Sequence, residues 1–279
     1  MRVVLIRSAV ALLLLYMSIF SYSGEAVAQS PLNSNVALQP AKEGVIIRQQ
    51  FRFARTGRSI GSGSIDISRF ISATTVVYGV TDSLTIAATV PYIFSQHMKP
   101  GRGMPSSHAD GIGDTVIMTK WRMYRNDYGI NDTSRIDFLA GVKTDTGVTA
   151  FTSDSVDPVI GGVWTHFSGR SSVDADVLYQ FNTDGGPNEP DRFRYDGAYL
   201  YRISPEEYQA VNPSALFGSV ELNGIAETNG DQELFFSPGI QYVTQRWALE
   251  ATVQLPIWQD INHRAETDYI IGVGFRWQF

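Results

Sequence analysis

TDYIIGVGFRWQF, residues Thr267 to Phe279, decides how the rest of the chain is read. Tyr269, Ile271, Val273, Phe275, Trp277 and Phe279 occupy every second position, with Asp268, Ile270, Gly272, Gly274, Arg276 and Gln278 between them. A period of two belongs to an extended strand with one set of side chains on each face. One set is apolar without a break and rich in aromatics; the other is mostly polar or very small. Such a strand could lie on the core of a soluble sheet. Its length, however, suits a tilted bilayer crossing, which takes about 9–11 residues. Aromatics near both ends of the apolar face also match the girdles of membrane barrels.

A terminal strand of this pattern ending in phenylalanine resembles the closing strand of bacterial outer-membrane β-barrels. The resemblance implies that Tyr269, Phe275, Trp277 and Phe279 form an assembly signal read by the barrel-assembly machinery. The other end of the chain supports export. Arg2 and Arg7 precede an apolar run from Ala9 to Phe20, and Ala26-Val27-Ala28 gives a small-x-small cleavage pattern. Residues 1–28 therefore read as a signal peptide, with the mature chain starting at Gln29. The run is too short for a helical span, which needs about twenty residues. The chain has no cysteine, which excludes a lipid-anchored N-terminus and a disulfide framework.

The formal charge of −6 becomes −7 once the leader takes away two arginines and one glutamate. No basic cluster points to nucleic acid. Residues 29–42 are polar, contain Pro31 and Pro40, and read as a flexible N-terminal lead-in on the periplasmic side. From residue 43 to 279, twelve segments could span. The clearest are Leu84–Phe94, Ser171–Asn182, Trp247–Ile257 and the closing strand, while the second, sixth and ninth (Ile65–Gly79, Asp157–Phe167, Pro213–Ala226) alternate poorly. Long connections, such as His97 to Gly111, would lie at one end and short turns at the other, the asymmetry of outer-membrane barrels. A β-sandwich also gives many alternating strands, but ordinarily not spans this long. Unpaired backbone groups in hydrocarbon cost several kcal/mol each, so a membrane sheet closes on itself. The expected fold is all-β: a transmembrane antiparallel up-and-down barrel of twelve strands.

Three stretches carry a more specific resemblance: Tyr78-Gly79-Val80-Thr81-Asp82-Ser83-Leu84 leading to Val90-Pro91-Tyr92; Gly111-Ile112-Gly113-Asp114 with Lys120-Trp121-Arg122; and Ser237-Pro238-Gly239-Ile240-Gln241-Tyr242. From about Val45 to Phe279 the chain resembles the meta-pathway phenol-degradation family, Gram-negative outer-membrane barrels often labelled transporters. The resemblance implies passive uptake of small hydrophobic or aromatic compounds and a location in the outer membrane, among lipid and lipopolysaccharide. It assigns no transport residue.

Functional candidates follow from the inner faces. Lys120, Arg122, Asp174, Asp176, Arg192, Arg194, Arg202, Glu250 and Arg276 alternate with apolar residues and are expected to line the lumen. Asp174 and Asp176 should neighbour Arg192, Arg194 and Arg202, each opposite-charge pair contributing about 0.2–1 kcal/mol. Such charges either rigidify a sealed interior or select solutes in a pore. About eight strands leave a filled interior and about sixteen a channel, so twelve lies between. A structural barrel without transport is the competing reading. A barrel lipid hydrolase is a third, because His166 and Ser168 could be neighbours on one strand face as base and nucleophile. His97, His108, Asp110 and His263 are spaced too loosely for a metal motif. Asp154, Asp157, Asp184, Glu189 and Asp191 are loop acids that could bind Ca²⁺ bridging lipopolysaccharide. No motif for a cofactor is present, and no enzyme activity is expected.

Overall fold

The computed structural model describes residues 30–60, 63–100, 105–129, 132–183, 190–207 and 214–279. The signal peptide expected over residues 1–28, with its cleavage site, lies outside the described residues. The closing stretch forms β13 (Glu266–Gln278), and β1 (Val45–Ile60) lies on one side of it and β12 (Trp247–Asp260) on the other. The remaining strands are β2 (Gly63–Gly79), β3 (Leu84–Pro100), β4 (Ser107–Ile112), β5 (Val116–Asp127), β6 (Thr133–Lys143), β7 (Asp157–Ser168), β8 (Ser171–Gln180), β9 (Arg192–Ser204), β10 (Ala215–Glu227) and β11 (Gln232–Val243). Each pairs antiparallel with its sequence neighbour, and the β1–β13 pairing closes the ring. β4 and β5 together make one stave, since β3 pairs with β5 through Leu84–Thr89 and with β4 through Tyr92–Met98. The result is a closed twelve-stranded antiparallel barrel.

The period-two pattern sets which face looks outward. Ile271 and Val273 are 45% and 50% exposed, while Gly272, Gly274 and Arg276 between them are buried. Along β13 the pattern shifts where its pairing with β1 is bulged at Arg55/Thr56, which puts Thr267 on the inside and Asp268 on the outside. Asp268, expected on the inner face, instead pairs with the exposed Arg55 at 3.6 Å. A bulge sets two residues against one and so flips the alternation beyond it.

The rim that carries Val45 and Phe279, joined by Phe279 N–H to the Val45 carbonyl at 2.9 Å, is called lower here. Its turns at 80–83, 169–170 and 244–246 are tight; Gly169 supplies the left-handed φ of 61° that its two-residue turn needs. Upper connections are longer, as at 144–156. One expected loop is different. His97 to Gly111 is not an excursion, because β3 runs on to Pro100 and β4 returns from Ser107, placing His97 opposite His108. Two adjacent strands can each satisfy the other's backbone well past the rim, so a Gly/Pro-rich tip need not end the ladder.

Among the upper connections, two carboxylates act as clamps. Asp114, at the break between β4 and β5, accepts from Gly147 N–H at 3.0 Å and from Ser153 N–H at 2.9 Å, holding the 144–156 loop. Asp231 accepts from Asn262 N–H at 2.8 Å, from His263 N–H at 3.1 Å and from the His263 ring at 3.0 Å. Burial alone would raise the Asp231 pKa, but these amides and the ring hold it below the ordinary carboxylate value. A carboxyl lowered in the folded state stabilises above its unfolded pKa, and that stabilisation is lost as pH falls through the lowered one. Asp231→Asn should therefore lower the thermal midpoint near pH 7, and the gap from the parent protein should close by about pH 3. Melting both proteins across that range checks it; a pH-independent gap would mean that the charge is irrelevant.

Candidate functional site: an occupied polar lumen

The lumen of the barrel is filled by the chain's own N-terminal segment. Of residues 29–42, expected as a free periplasmic lead-in, 30–40 run inside the barrel wall, and Ala41 and Lys42 are exposed. The reason is hydrogen-bonding capacity. The segment has no regular structure of its own, so its backbone must find partners elsewhere, and the inward sets of the strands offer them.

N–H groups meet acceptors on β6 to β10. Glu221 on β10 is fully buried and accepts from Leu32 N–H at 2.9 Å, Asn33 N–H at 3.1 Å, Ser34 N–H at 3.0 Å and the Ser34 hydroxyl at 2.7 Å. Asp176 on β8 takes the Asn35 N–H and side-chain amide, both at 2.8 Å. Thr165 on β7 accepts from Ala37 N–H at 2.8 Å and donates to Asp174 at 2.5 Å. Asp137 on β6 accepts from the Gln39 amide at 2.9 Å.

Carbonyls meet donors, most of them cationic. Arg48 on β1 donates to the Pro31 and Leu32 carbonyls at 3.1 and 3.2 Å, and Gln50 and Arg52 reach Leu32 at 3.0 and 3.3 Å. Arg194 donates to the Asn33 carbonyl at 3.4 Å, Lys120 to Val36 at 2.6 Å and Arg122 to Ala37 at 3.5 Å. At the segment's far end, Gln241 donates to the Ser30 carbonyl and Arg276 to the Ser30 hydroxyl. The segment is bent rather than extended at residues 32–34, which lets three successive N–H groups converge on the one carboxylate of Glu221, while Arg194 on β9 reaches the Asn33 carbonyl from between the acceptor strands β8 and β10. Charge-assisted bonds of this kind are roughly twice as strong as neutral ones.

An apolar patch sits beside this polar grip. Ala37 packs on Leu139 of β6 and Val163 of β7, with Met118 and Leu178 against them. Gly141 and Gly161 let those two side chains lie close to the wall, since an added Cβ would fall 2.3 Å from Met118 Sδ and 2.7 Å from the Leu178 side chain. At the other end of the segment, a Cβ on Gly79 would fall 2.1 Å from the Ala41 carbonyl oxygen. The glycine of the Tyr78-Gly79-Val80 turn is therefore where the segment crosses the rim. Glu43 N–H donates to the Gly79 carbonyl there at 2.7 Å.

The expected lumen residues fall into two groups. Lys120, Arg122, Asp176, Arg194 and Arg276 touch the segment directly, and Asp174 and Glu250 lie one contact away, Glu250 paired with Arg48 at 2.7 Å. Arg192 and Arg202 do not join them. Arg192 sits at the upper end of β9 on Glu227 at 3.0 Å, and Arg202 at the lower end on the Glu206 carbonyl at 3.2 Å. The expected pairing of Asp174 and Asp176 with these arginines also fails: their register partners are Ala198 and Asp196. Glu221, Thr165, Asp137, Arg48 and Arg52 carry much of the grip and were not singled out from the sequence. Arg48 and Arg52 had a legible signal, since they alternate with Val45, Ile47, Phe51 and Phe53.

The other candidates are placed as follows. His166 stacks between Tyr128 and Trp164 at centroid distances of 5.9 and 6.0 Å, and Ser168 ends β7 opposite Ser171. His97 and His108 face each other at 4.5 Å with Asp110 3.9 Å from His108, while His263 is on Asp231. Asp157 is buried on Lys143 at 2.8 Å, and Asp191 accepts from Tyr179 at 2.8 Å, so neither is a free loop acid. Asp154 is exposed, and Asp184 and Glu189 lie outside the described residues.

Comparison with known structures agrees with the barrel. An outer-membrane channel from Pseudomonas putida F1 is similar at 14% identity and a TM-score of 0.58, over 90% of this chain and 100% of that one. The β domain of the Bordetella autotransporter BrkA is 12% identical with a TM-score of 0.46, over 85% of this chain and 99% of that one. The monoaromatic hydrocarbon channel CymD is 9% identical with a TM-score of 0.44, over 85% and 89%. A sequence comparison with curated proteins finds no match. The family described as "Putative MetA-pathway of phenol degradation" matches residues 54–271, most of the barrel. The chain belongs to that family, as one of its outer-membrane β-barrels.

Proposed function

We propose that the protein is a passive outer-membrane channel for small solutes, aromatic compounds among them, and that the lumen is the path. One observation carries this reading. The barrel's interior holds a separate segment, residues 30–40, on a ring of polar wall groups in addition to the strands' own inward side chains. A purely structural barrel would be expected to close over its own side chains, as small barrels do. Family membership supports an aromatic solute, and so does the apolar patch of Leu139, Val163, Met118 and Leu178 beside charged groups. An aromatic ring with one polar substituent needs both. In this reading the lower rim faces the periplasm, the signal peptide is removed after Ala28, and Tyr269, Phe275, Trp277 and Phe279 direct assembly.

The test is permeation into liposomes. With residues 30–39 deleted, the barrel should admit benzoate faster than an equally charged aliphatic anion of similar size, and both faster than protein-free vesicles. A folded deletion variant no more permeable than bare lipid would reject the channel and leave the structural barrel.

A further inference from the structure

We propose that the lumen groups gripping residues 30–39 form a binding site for a bent, irregular peptide segment, and that its occupant, the protein's own N-terminal segment, is a reversible plug released through the lower rim. The inference deepens the channel reading and rests on it for its conductance arm.

Three features of the site point this way. The contacts are mostly with backbone: the N–H groups of Leu32, Asn33, Ser34, Asn35 and Ala37 go to acceptors on β7, β8 and β10, and the carbonyls of Pro31, Leu32, Asn33, Val36 and Ala37 to donors on β1, β5 and β9. The wall therefore recognises the bent backbone of the segment more than its side chains. The segment forms no strand ladder with the barrel, so it can leave without opening the sheet. Each bond that it loses can be replaced by water in a polar lumen, and the ordering entropy of the segment is regained.

The third feature is direction. The segment is tethered at Gly79 on the lower rim, arcs across the lumen to Glu221 and returns to Gln241 and Arg276, near the lower ends of β11 and β13. Both of its ends thus face the same rim.

The chain has no cysteine, so a single engineered thiol reports plug exchange without any current. Ser34→Cys and Ala37→Cys place that thiol at buried positions of the segment. Both should react with a membrane-impermeant maleimide in the folded, membrane-inserted protein, slowly, and faster when Glu221→Ala is added. Single-channel recording supplies the second arm. The full chain should flicker between closed and open, and the variant lacking 30–39 should stay open. The peptide SPLNSNVALQ, added on the lower-rim side, should block that variant, whereas the same peptide N-methylated at the amides of Leu32, Asn33 and Ser34 should not. Glu221→Ala should shorten the blocks about tenfold, the loss of one charge-assisted anchor. Thiols that stay unreactive in both cysteine variants would overturn the plug even if the deletion variant conducts. Reactive thiols with a silent deletion variant would uphold the peptide site and reject the channel.

Discussion

Ile271→Arg is expected to lower the stability of the folded barrel by about 2–4 kcal/mol, the cost of a lipid-facing arginine near the bilayer midplane. Ile271 sits well inside β13, in register with Phe53 on β1 and Val253 on β12, on the outward face. The arginine could reach neither rim easily, and the apolar neighbours offer no partner. Gln278→Arg is the control. It adds the same charge one residue from Phe279, at the lower rim opposite Ile46, where the penalty falls to about 0–1 kcal/mol. Urea unfolding of both variants refolded into lipid vesicles measures the difference. Equal losses would mean that the face bearing Ile271, Val273 and Phe275 does not meet hydrocarbon.

That prediction could be framed before any coordinates, because β13 has a single unambiguous alternation. β3, β8 and β12 were legible for the same reason. The lumen was less so. Inward positions need only be polar, small or buried, so β10 turns in Ala215, Phe217, Ser219, Glu221 and Asn223, a set with no pattern that marks Glu221 as an anchor. Cross-strand partners were the weakest part. Side chains alternate with period two, so an error of two residues in register leaves every face correct and every charge pair wrong. Asp176 consequently met Asp196 in place of an arginine. The segment 30–42 was misplaced for a different reason. Its polar composition and two prolines describe a chain that makes no regular structure, which is true of it inside the barrel as well. Where such a chain goes depends on acceptors 98 to 189 residues away, and no local pattern encodes that.

Arg194→Glu is expected to do two things, one to the wall and one to the segment. Arg194 donates to Asp196 at 3.1 Å and to the Asn33 carbonyl at 3.4 Å. A glutamate can donate to neither. It would also add a carboxylate to a region that already holds Asp176, Asp196 and Glu221, changing the local charge by two units. If solutes pass through the lumen, the reversal potential in a salt gradient should move towards cation preference. The seated segment should loosen at the same time, because Asn33 loses a donor and faces a like charge, so the open fraction should rise. The two effects separate in the variant lacking 30–39: the shift in selectivity should persist there, while the gain in open fraction should vanish because no segment remains to be released. The barrel itself should stay folded, since a hydrated lumen solvates the new carboxylate. A dry, sealed interior would instead make an uncompensated buried charge strongly destabilising, by about 3–5 kcal/mol. Unchanged reversal potentials in both backgrounds would exclude a path along β9. A silent parent protein, with a variant that unfolds, would make the charged lumen a structural core and the segment a fixed part of it.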